Sequence, residues 1–320
     1  MRAFRVTEPG GPGRLQHCPR RDPGPGEIGL RIAACGLNFA DLLMVKGTYQ
    51  DTPDIPFTLG LEAAGTIDAI GPGVTGMTPG DRVAVFSGHG GLAEYGVFPA
   101  ARAVLIPPAM PDDVAAGFLI AYGTSHLALT RRAFLRAGER LVVLGAAGGV
   151  GLTAVEIGVA IGAEVLAVAR GAQKLAAAGA AGAHHLIDSD TADLRAALLD
   201  LGRADVVYDA VGGAQFDAAF RSMRPEGRIL SIGFASGTVP QIPANHLLVK
   251  NLSVIGVNWG AYLSFAPEAL IDSLKVCFAW YDAGRLRPHI SARFPLSEAQ
   301  AALDHLAARK STGKVVVTMG

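Results

Sequence analysis

The chain has 320 residues, half of them hydrophobic and only 18% charged, a length that allows two medium domains with ample core and a composition that favours an oligomer. Lys+Arg and Asp+Glu both number 28, so zero net charge gives no electrostatic reason to expect nucleic acid or an anionic membrane as partner. Three widely spaced cysteines, Cys18, Cys35 and Cys277, fit reduced thiols in a cytoplasmic protein and cannot build a cysteine-rich zinc site by themselves.

Residues 1–8 lack the apolar core and cleavage site of a signal peptide. From Glu27 the pattern alternates, with Ile28, Leu30 and Ile32 apolar, as in a half-buried strand. Further short strands are expected over 64–70, 82–86 and 94–98, separated by turns such as Gly71-Pro72-Gly73 and Pro79-Gly80-Asp81. This texture predicts a small β-rich domain. It changes at Pro111-Asp112-Asp113, where acidic residues suit a helix start, and residues 118–134 read as a long helix.

Strands then alternate with helices: 141–144, 164–169, 185–187, 205–208, 228–232 and 253–257. Six such strands predict one doubly wound parallel sheet. The charge-free run 229–249 carries Pro240 and Pro243 and is no membrane span. Beyond Trp259 come a helix over 267–283, a short strand near Ile290, a helix over 297–308 and a strand over 314–318. Ser297 and Gln300 are spaced as a capping box for that helix. The final strand is most simply returned to the first domain. The expected division is therefore 1–115 with 259–320 for the β-rich domain and 116–258 for the doubly wound domain.

Residues 141–144 lead into Gly145, Ala146, Ala147, Gly148, Gly149, Val150 and Gly151, a G-x-x-G-x-x-G turn that opens a helix. Such a turn supplies what a pyrophosphate needs: no Cβ in the way, backbone N–H groups towards the ligand and a helix dipole behind them. The helix that follows is apolar nearly all round, as one sandwiched between layers. The ribose is read about 20 residues beyond the glycines, where an NAD enzyme keeps an acid. Here Arg170 and Lys174 occupy that region and can pair with a 2′-phosphate, which favours NADPH.

Several segments, spread in order over the whole chain, resemble the medium-chain dehydrogenase/reductase superfamily, specifically its zinc-free NADPH:quinone oxidoreductase branch. They are Gly36-Leu37-Asn38-Phe39-Ala40-Asp41, Gly47-Thr48-Tyr49, Gly60-Leu61-Glu62-Ala63-Ala64-Gly65, Gly80-Asp81-Arg82-Val83, Tyr122-Gly123-Thr124, the glycine turn, Gly233-Phe234 and Thr312-Gly313-Lys314-Val315. The resemblance implies a GroES-like catalytic domain joined to a Rossmann domain. Zinc-dependent relatives place cysteine and histidine ligands where this chain has Asn38 and Leu61, and neither residue suits zinc. No metal is expected. His89 and His126 remain available for chemistry.

Losing the metal disfavours alcohol oxidation and suits reduction of quinones or α,β-unsaturated carbonyls, where charge develops on a conjugated oxygen. The resemblance assigns Asn38 and Tyr49 to catalysis, Asn38 as an N–H donor and Tyr49 as a donor or proton source, with water as the alternative source. It puts Asp41, Leu61 and Trp259 at the substrate pocket. Thr124, Gly233, Phe234, Asn258, Lys310 and Lys314 carry over as cofactor neighbours. One departure is Asp188, where the family often has a tyrosine for the 2′-phosphate. The branch also implies a homodimer through the sixth Rossmann strand. Two other readings stay open: an enoyl- or acryloyl-CoA-type reductase, and a non-catalytic NADPH-binding protein of the crystallin kind.

Overall fold

The structure, a computed structural model, describes residues 1–8 and 10–320. It divides into a first unit, Met1–Ile120 with Pro288–Gly320, and a second, Ala121–Arg287.

Frequent Gly and Pro turns cut the first unit into short strands. In chain order it holds β1 (Arg2–Val6), β2 (Arg14–His17), β3 (Glu27–Leu37), α1 (Phe39–Val45), β4 (Phe57–Thr58), β5 (Glu62–Ile70), β6 (Arg82–Phe86), β7 (Tyr95–Pro99), β8 (Ala103–Leu105) and α2 (Asp112–Ala116). A helix, α3 (Leu119–His126), crosses the division.

The second unit continues with β9 (Arg140–Leu144), α4 (Gly149–Ile161), β10 (Glu164–Ala169), α5 (Gly171–Ala180), β11 (His185–Asp188), α6 (Leu194–Asp200) and β12 (Ala204–Asp209). Then come α7 (Gly213–Arg221), β13 (Met223–Ser231), α8 (Ala244–Lys250), β14 (Ser253–Gly256), α9 (Tyr262–Phe265) and α10 (Pro267–Asp282). The chain returns to the first unit with β15 (Ile290–Pro295), α11 (Ala299–Ala307) and β16 (Lys314–Thr318).

In the first unit, β1 pairs antiparallel with β2 and β4, and the remaining strands form a seven-stranded sheet of order β15-β16-β3-β5-β6-β8 with β7 on β3. The alternation from Glu27 does what the pattern predicts: Ile28, Leu30 and Ile32 are buried while Arg31 is exposed. They pack with Phe4, Leu59, Val83, Val85 and Leu303 in one core, which Val315 and Val317 of β16 complete. β16 runs antiparallel to β3 with Val315 opposite Leu37, so Lys314 falls level with the end of β3.

The second unit carries a six-stranded parallel sheet of order β11-β10-β9-β12-β13-β14. Its central strands are buried on both faces and therefore read as continuous apolar runs, such as Leu141, Val142, Val143 and Leu144. The strand order turns at β9, with β10 on one side and β12 on the other. Ligands bind doubly wound sheets at the carboxyl ends beside such a switch point. β14 ends the sheet.

The architecture is the GroES-like plus Rossmann arrangement the resemblance implies, with three differences of detail. The divisions fall after Ile120 and Arg287 rather than at residues 115/116 and 258/259, the second because α10 packs into the second unit, where Ser273 meets His126 and Cys277 meets the Tyr122 carbonyl. The helix expected over 118–134 is two pieces, α3 and a π-helical turn, Leu127–Arg132. The capping box at Ser297 and Gln300 does not form: Ser297 lies in a 3-10 turn, α11 begins after Glu298, and Gln300 donates to Asp304 instead. Among the described residues no helix is long and apolar enough to cross a membrane.

Candidate functional site

In the second unit the glycine turn leaves the carboxyl end of β9. Gly145 adopts a left-handed backbone (φ +71°) that a side chain resists. The turn closes with Gly148 N–H on the Gly145 carbonyl at 3.0 Å, and Ala146 N–H holds it to β10 through the Val168 carbonyl at 3.0 Å. Gly148 caps α4, whose first helical bond runs from Leu152 N–H to the Gly148 carbonyl at 2.9 Å. The N–H groups of Gly149, Val150 and Gly151 precede that bond, which leaves them without helical acceptors. Gly151 packs so closely that a Cβ would overlap the Gly145 carbonyl oxygen. Ala147 is buried in the turn.

A polar network anchors α4 from behind. Ser125 Oγ donates to the Val150 carbonyl at 2.9 Å and lies 2.8 Å from Thr153 Oγ1 and 3.0 Å from the Tyr208 hydroxyl. Glu156, buried on a helix that reads as apolar all round, accepts from the Tyr122 hydroxyl at 2.5 Å and from Arg287 N–H at 3.1 Å. Burial pushes its carboxyl up from the usual range, opposed by those bonds. Thr124 is buried on α3. Its neighbour Gly123 leaves room for the buried indole of Trp259, which a Cβ there would approach to 2.7 Å.

At the end of β10, Arg170 precedes α5 and pairs with Asp190, Nε to Oδ1 at 3.0 Å. Asp188 closes β11 in register with Ala169, and its Oδ1 accepts from Gly171 N–H at 3.1 Å and Asp190 N–H at 3.0 Å. Those backbone donors hold its carboxyl below the usual range. Lys174 lies on α5. Beyond β13, Gly233 N–H donates to the Asp209 carbonyl at 3.3 Å, and the partly exposed Phe234 borders Gly212. Asn258 accepts from Ala261 N–H at 3.2 Å.

In the first unit, Asn38 stands between β3 and α1. Its carboxamide oxygen accepts from Lys314 Nζ at 2.7 Å, and its amide nitrogen donates to Glu62 Oε1 at 3.0 Å and to the Gly36 carbonyl at 3.2 Å. Lys314 also donates to Glu62 Oε1 and the Leu37 carbonyl, both at 2.8 Å. Glu62 Oε2 accepts from Ile120 N–H at 3.0 Å. The ammonium's three hydrogens and the amide's two are thus all directed at protein acceptors.

Asp41, fully buried, accepts from Asn38 N–H at 2.8 Å; burial pushes its carboxyl up to about 7, although that N–H and the Lys314 ammonium pull it down. Leu61 is buried beside Glu62, and the Cys35 thiol, also buried, is pushed well up by desolvation. Tyr49 is half-buried against the same core, its phenol raised chiefly by desolvation. His89 is exposed at its surface, and its imidazole is lowered chiefly by desolvation.

The chain therefore brings Asn38, Asp41, Glu62 and Lys314 together, and gathers Gly145, Ala147 to Gly151 and Thr124 in the second unit. Two assignments look different in three dimensions. Lys314, which resembles a cofactor-side residue, has its ammonium buried against Asn38, while Lys310 is exposed. The N–H₂ of Asn38, expected to face substrate, is spent on Glu62 and Gly36. Sequence reading assigns no role to Glu62 or Asp190. Glu62 had a signal, a charge between Leu61 and two alanines in an otherwise apolar run.

Residues 24–108 match the alcohol dehydrogenase GroES-like domain and residues 149–275 match the family described as zinc-binding dehydrogenase. A quinone oxidoreductase-like protein 2 homolog of Nematostella vectensis is 37% identical over 92% of this chain and 82% of its own length. A quinone oxidoreductase of Pseudomonas aeruginosa is 33% identical over 96% of both chains. Escherichia coli quinone oxidoreductase, solved with NADPH, superimposes with a TM-score of 0.90 at 28% identity, covering 99% of each chain. The chain belongs to the quinone oxidoreductase branch of the medium-chain dehydrogenase/reductase superfamily.

Proposed function

We propose that this protein is an NADPH-dependent reductase of quinones or other α,β-unsaturated carbonyls that works by direct hydride transfer without zinc. The observation that carries the reading is the Lys314 ammonium, 2.7 Å from Asn38 Oδ1. Where zinc-dependent relatives gather ligands, this chain has an amide, the alkyl side chain of Leu61 and a built-in cation. A divalent ion would meet a positive charge there instead of a thiolate and an imidazole.

The dinucleotide fits the second unit. The turn lets a pyrophosphate approach the backbone at Gly145, Gly148, Gly149 and Gly151, with the Gly149, Val150 and Gly151 N–H groups at the positive end of α4. Gly233, Phe234 and Asn258 follow β13 and β14 on the carboxyl side of the sheet, where the nicotinamide half belongs. When bound, the reduced nicotinamide supplies a hydride, two electrons with one proton, and a quinone needs one further proton to become a hydroquinone.

The first unit's contribution is order and a donor. Lys314 and Glu62 hold the Asn38 carboxamide in one orientation, and Asp41 fixes its backbone. With the Asn38 hydrogens committed, Tyr49 is the better candidate to donate to the developing oxyanion. Its raised phenol stays protonated at neutral pH and so keeps a hydrogen to give. The working form is a homodimer: β14 leaves one edge of the sheet open, and Leu248 and Val249 on α8 are 79% and 78% exposed.

The test is NADPH oxidation after exhaustive chelation, with quinones, enones and enoyl-CoA esters as acceptors. Undiminished turnover of quinones or enones is the expected result. Loss of activity on chelation, regained with zinc, would remove the metal-free mechanism. Turnover confined to CoA esters would move the assignment to an enoyl-CoA-type reductase, and tight NADPH binding with no turnover would leave a binding protein.

A further inference from the structure

We propose that Asp188 and Asp190 form a carboxylate pair that competes with a 2′-phosphate for Arg170, so that the chain takes NADH alongside NADPH. The inference rests on the dinucleotide reading above and concerns how the adenosine ribose is recognised.

In doubly wound nucleotide units the ribose is read at the end of the second strand. Here β10 ends at Ala169 and Arg170 follows it, a cation in the place where NAD enzymes keep an acid. A lone arginine would favour the phosphate. This arginine has a partner, with Asp190 Oδ1 3.0 Å from its Nε. The partner is fixed in turn: Asp190 N–H bonds Asp188 Oδ1 at 3.0 Å, and Ser189 N–H bonds the Ala169 carbonyl at 3.0 Å. The segment after β11 is therefore stitched to the end of β10.

Asp188 adds a second anion. It sits opposite Ala169 and accepts from Gly171 N–H at 3.1 Å, the first N–H of α5. The helix end that would welcome an external phosphate thus already holds a carboxylate. The acid missing from the end of the second strand is delivered from the third.

The two cofactors meet this arrangement differently. A 2′-phosphate, carrying roughly −1.5 to −2 charges at neutral pH, must displace Asp190 from Arg170 and come close to Asp188. A ribose 2′-hydroxyl carries no charge and can donate to a carboxylate held as Asp188 is. The pair therefore weakens NADPH selectively. The Arg170–Asp190 pair is largely exposed, with side chains 62% and 50% accessible. Such a pair shifts an equilibrium by about fivefold at most, so the outcome is shared use of both cofactors rather than a reversal.

The experiment measures equilibrium binding to the full-length protein, with NADPH and NADH followed by tryptophan fluorescence and 2′,5′-ADP and 5′-AMP by calorimetry. Expected for the wild type is an NADPH-to-NADH affinity ratio within about tenfold of one. Asp190→Asn, which keeps the backbone N–H bonds, should tighten NADPH and 2′,5′-ADP by about fivefold and leave NADH and 5′-AMP unchanged. Asp188→Asn should tighten the phosphorylated ligands and weaken the other two; if it destabilises α5, Asp190→Asn still decides. A wild-type preference for NADPH beyond about tenfold, or an NADPH-to-NADH ratio that Asp190→Asn does not move, overturns the inference while leaving the proposed function standing. Failure to bind either dinucleotide overturns both.

Discussion

Lys314 Nζ lies 2.8 Å from Glu62 Oε1, and their side chains are 9% and 1% exposed. A buried pair of this kind contributes little net stability compared with an apolar pair, but breaking it from one side is expensive. Its value here is geometric, because both partners also bond the Asn38 carboxamide.

Lys314→Met should lower stability by about 3–5 kcal/mol, since Glu62 is left charged and without its cation. Adding Glu62→Gln to that variant should recover much of the loss. Urea unfolding of the two single variants and the double variant measures the coupling; simple additivity would mean that the pair does not act as a unit.

Gly151→Ala puts a methyl group against the Gly145 carbonyl oxygen, a backbone atom, with no flexible side chain to move aside. The turn must open. Dinucleotide affinity should fall by at least about tenfold, as expected when a backbone cradle is displaced, with far less effect on the first unit's unfolding. Fluorescence titration and denaturation curves read the two effects separately.

For Tyr49→Phe, loss of the hydroxyl should reduce kcat with enones by about 10²-fold, because their reduced carbon must still gain a proton, and leave the KM for NADPH unchanged. An equal kcat for the variant would transfer that proton to water.

His126 is buried against Ser273, Nδ1 to Oγ at 2.8 Å, with the Trp280 ring edge-on at 5.4 Å. Desolvation lowers its imidazole to about 4, below the 6.5 of a solvated histidine. Between those values the unfolded chain binds the proton and the folded chain does not. The stabilising contribution is therefore present above pH 6.5 and is lost as pH falls towards 4, on the order of 3 kcal/mol over the window. His126→Gln, which keeps a hydrogen-bonding group near Ser273, should flatten the pH dependence of the unfolding midpoint between pH 4 and 6.5. A pH profile identical to that of the wild type would place the effect on other groups.

Periodicity and glycine spacing make most of the fold legible. The strands 82–86, 164–169 and 314–318 can be read to the residue because each is an apolar run bounded by turn formers or charges. Capping and boundaries are less legible. Nothing local tells α10 to pack beside α3, since its attachment runs through Ser273 and Cys277 to residues 147 and 155 positions away.

The glycine turn is visible because it obeys a spacing, whereas the Asn38 cluster depends on pairing β16 with β3. Lys314 opens a strand whose next three residues are buried valines, and a charge leading such a run signals a buried base that needs a partner. Which partner it finds follows only from the register that sets Val315 opposite Leu37. Arg170 illustrates the opposite limit: its charge is plain in the sequence, but Asp190 reaches it through the loop after β11, beyond any local pattern.

That same pairing of β16 with β3 has a consequence for how the protein is made. The second unit is one uninterrupted segment, Ala121–Arg287, and all its strands have left the ribosome before β16 is translated. The first unit must wait: Val315 and Val317 fill its core, and Lys314 neutralises Glu62, only when β16 arrives. Until then the N-terminal strands lack the β16 valines and Glu62 lacks its cation, while every strand of the second unit's sheet is available to pair. The order of maturation is therefore inside out, the later-encoded middle first and the beginning last.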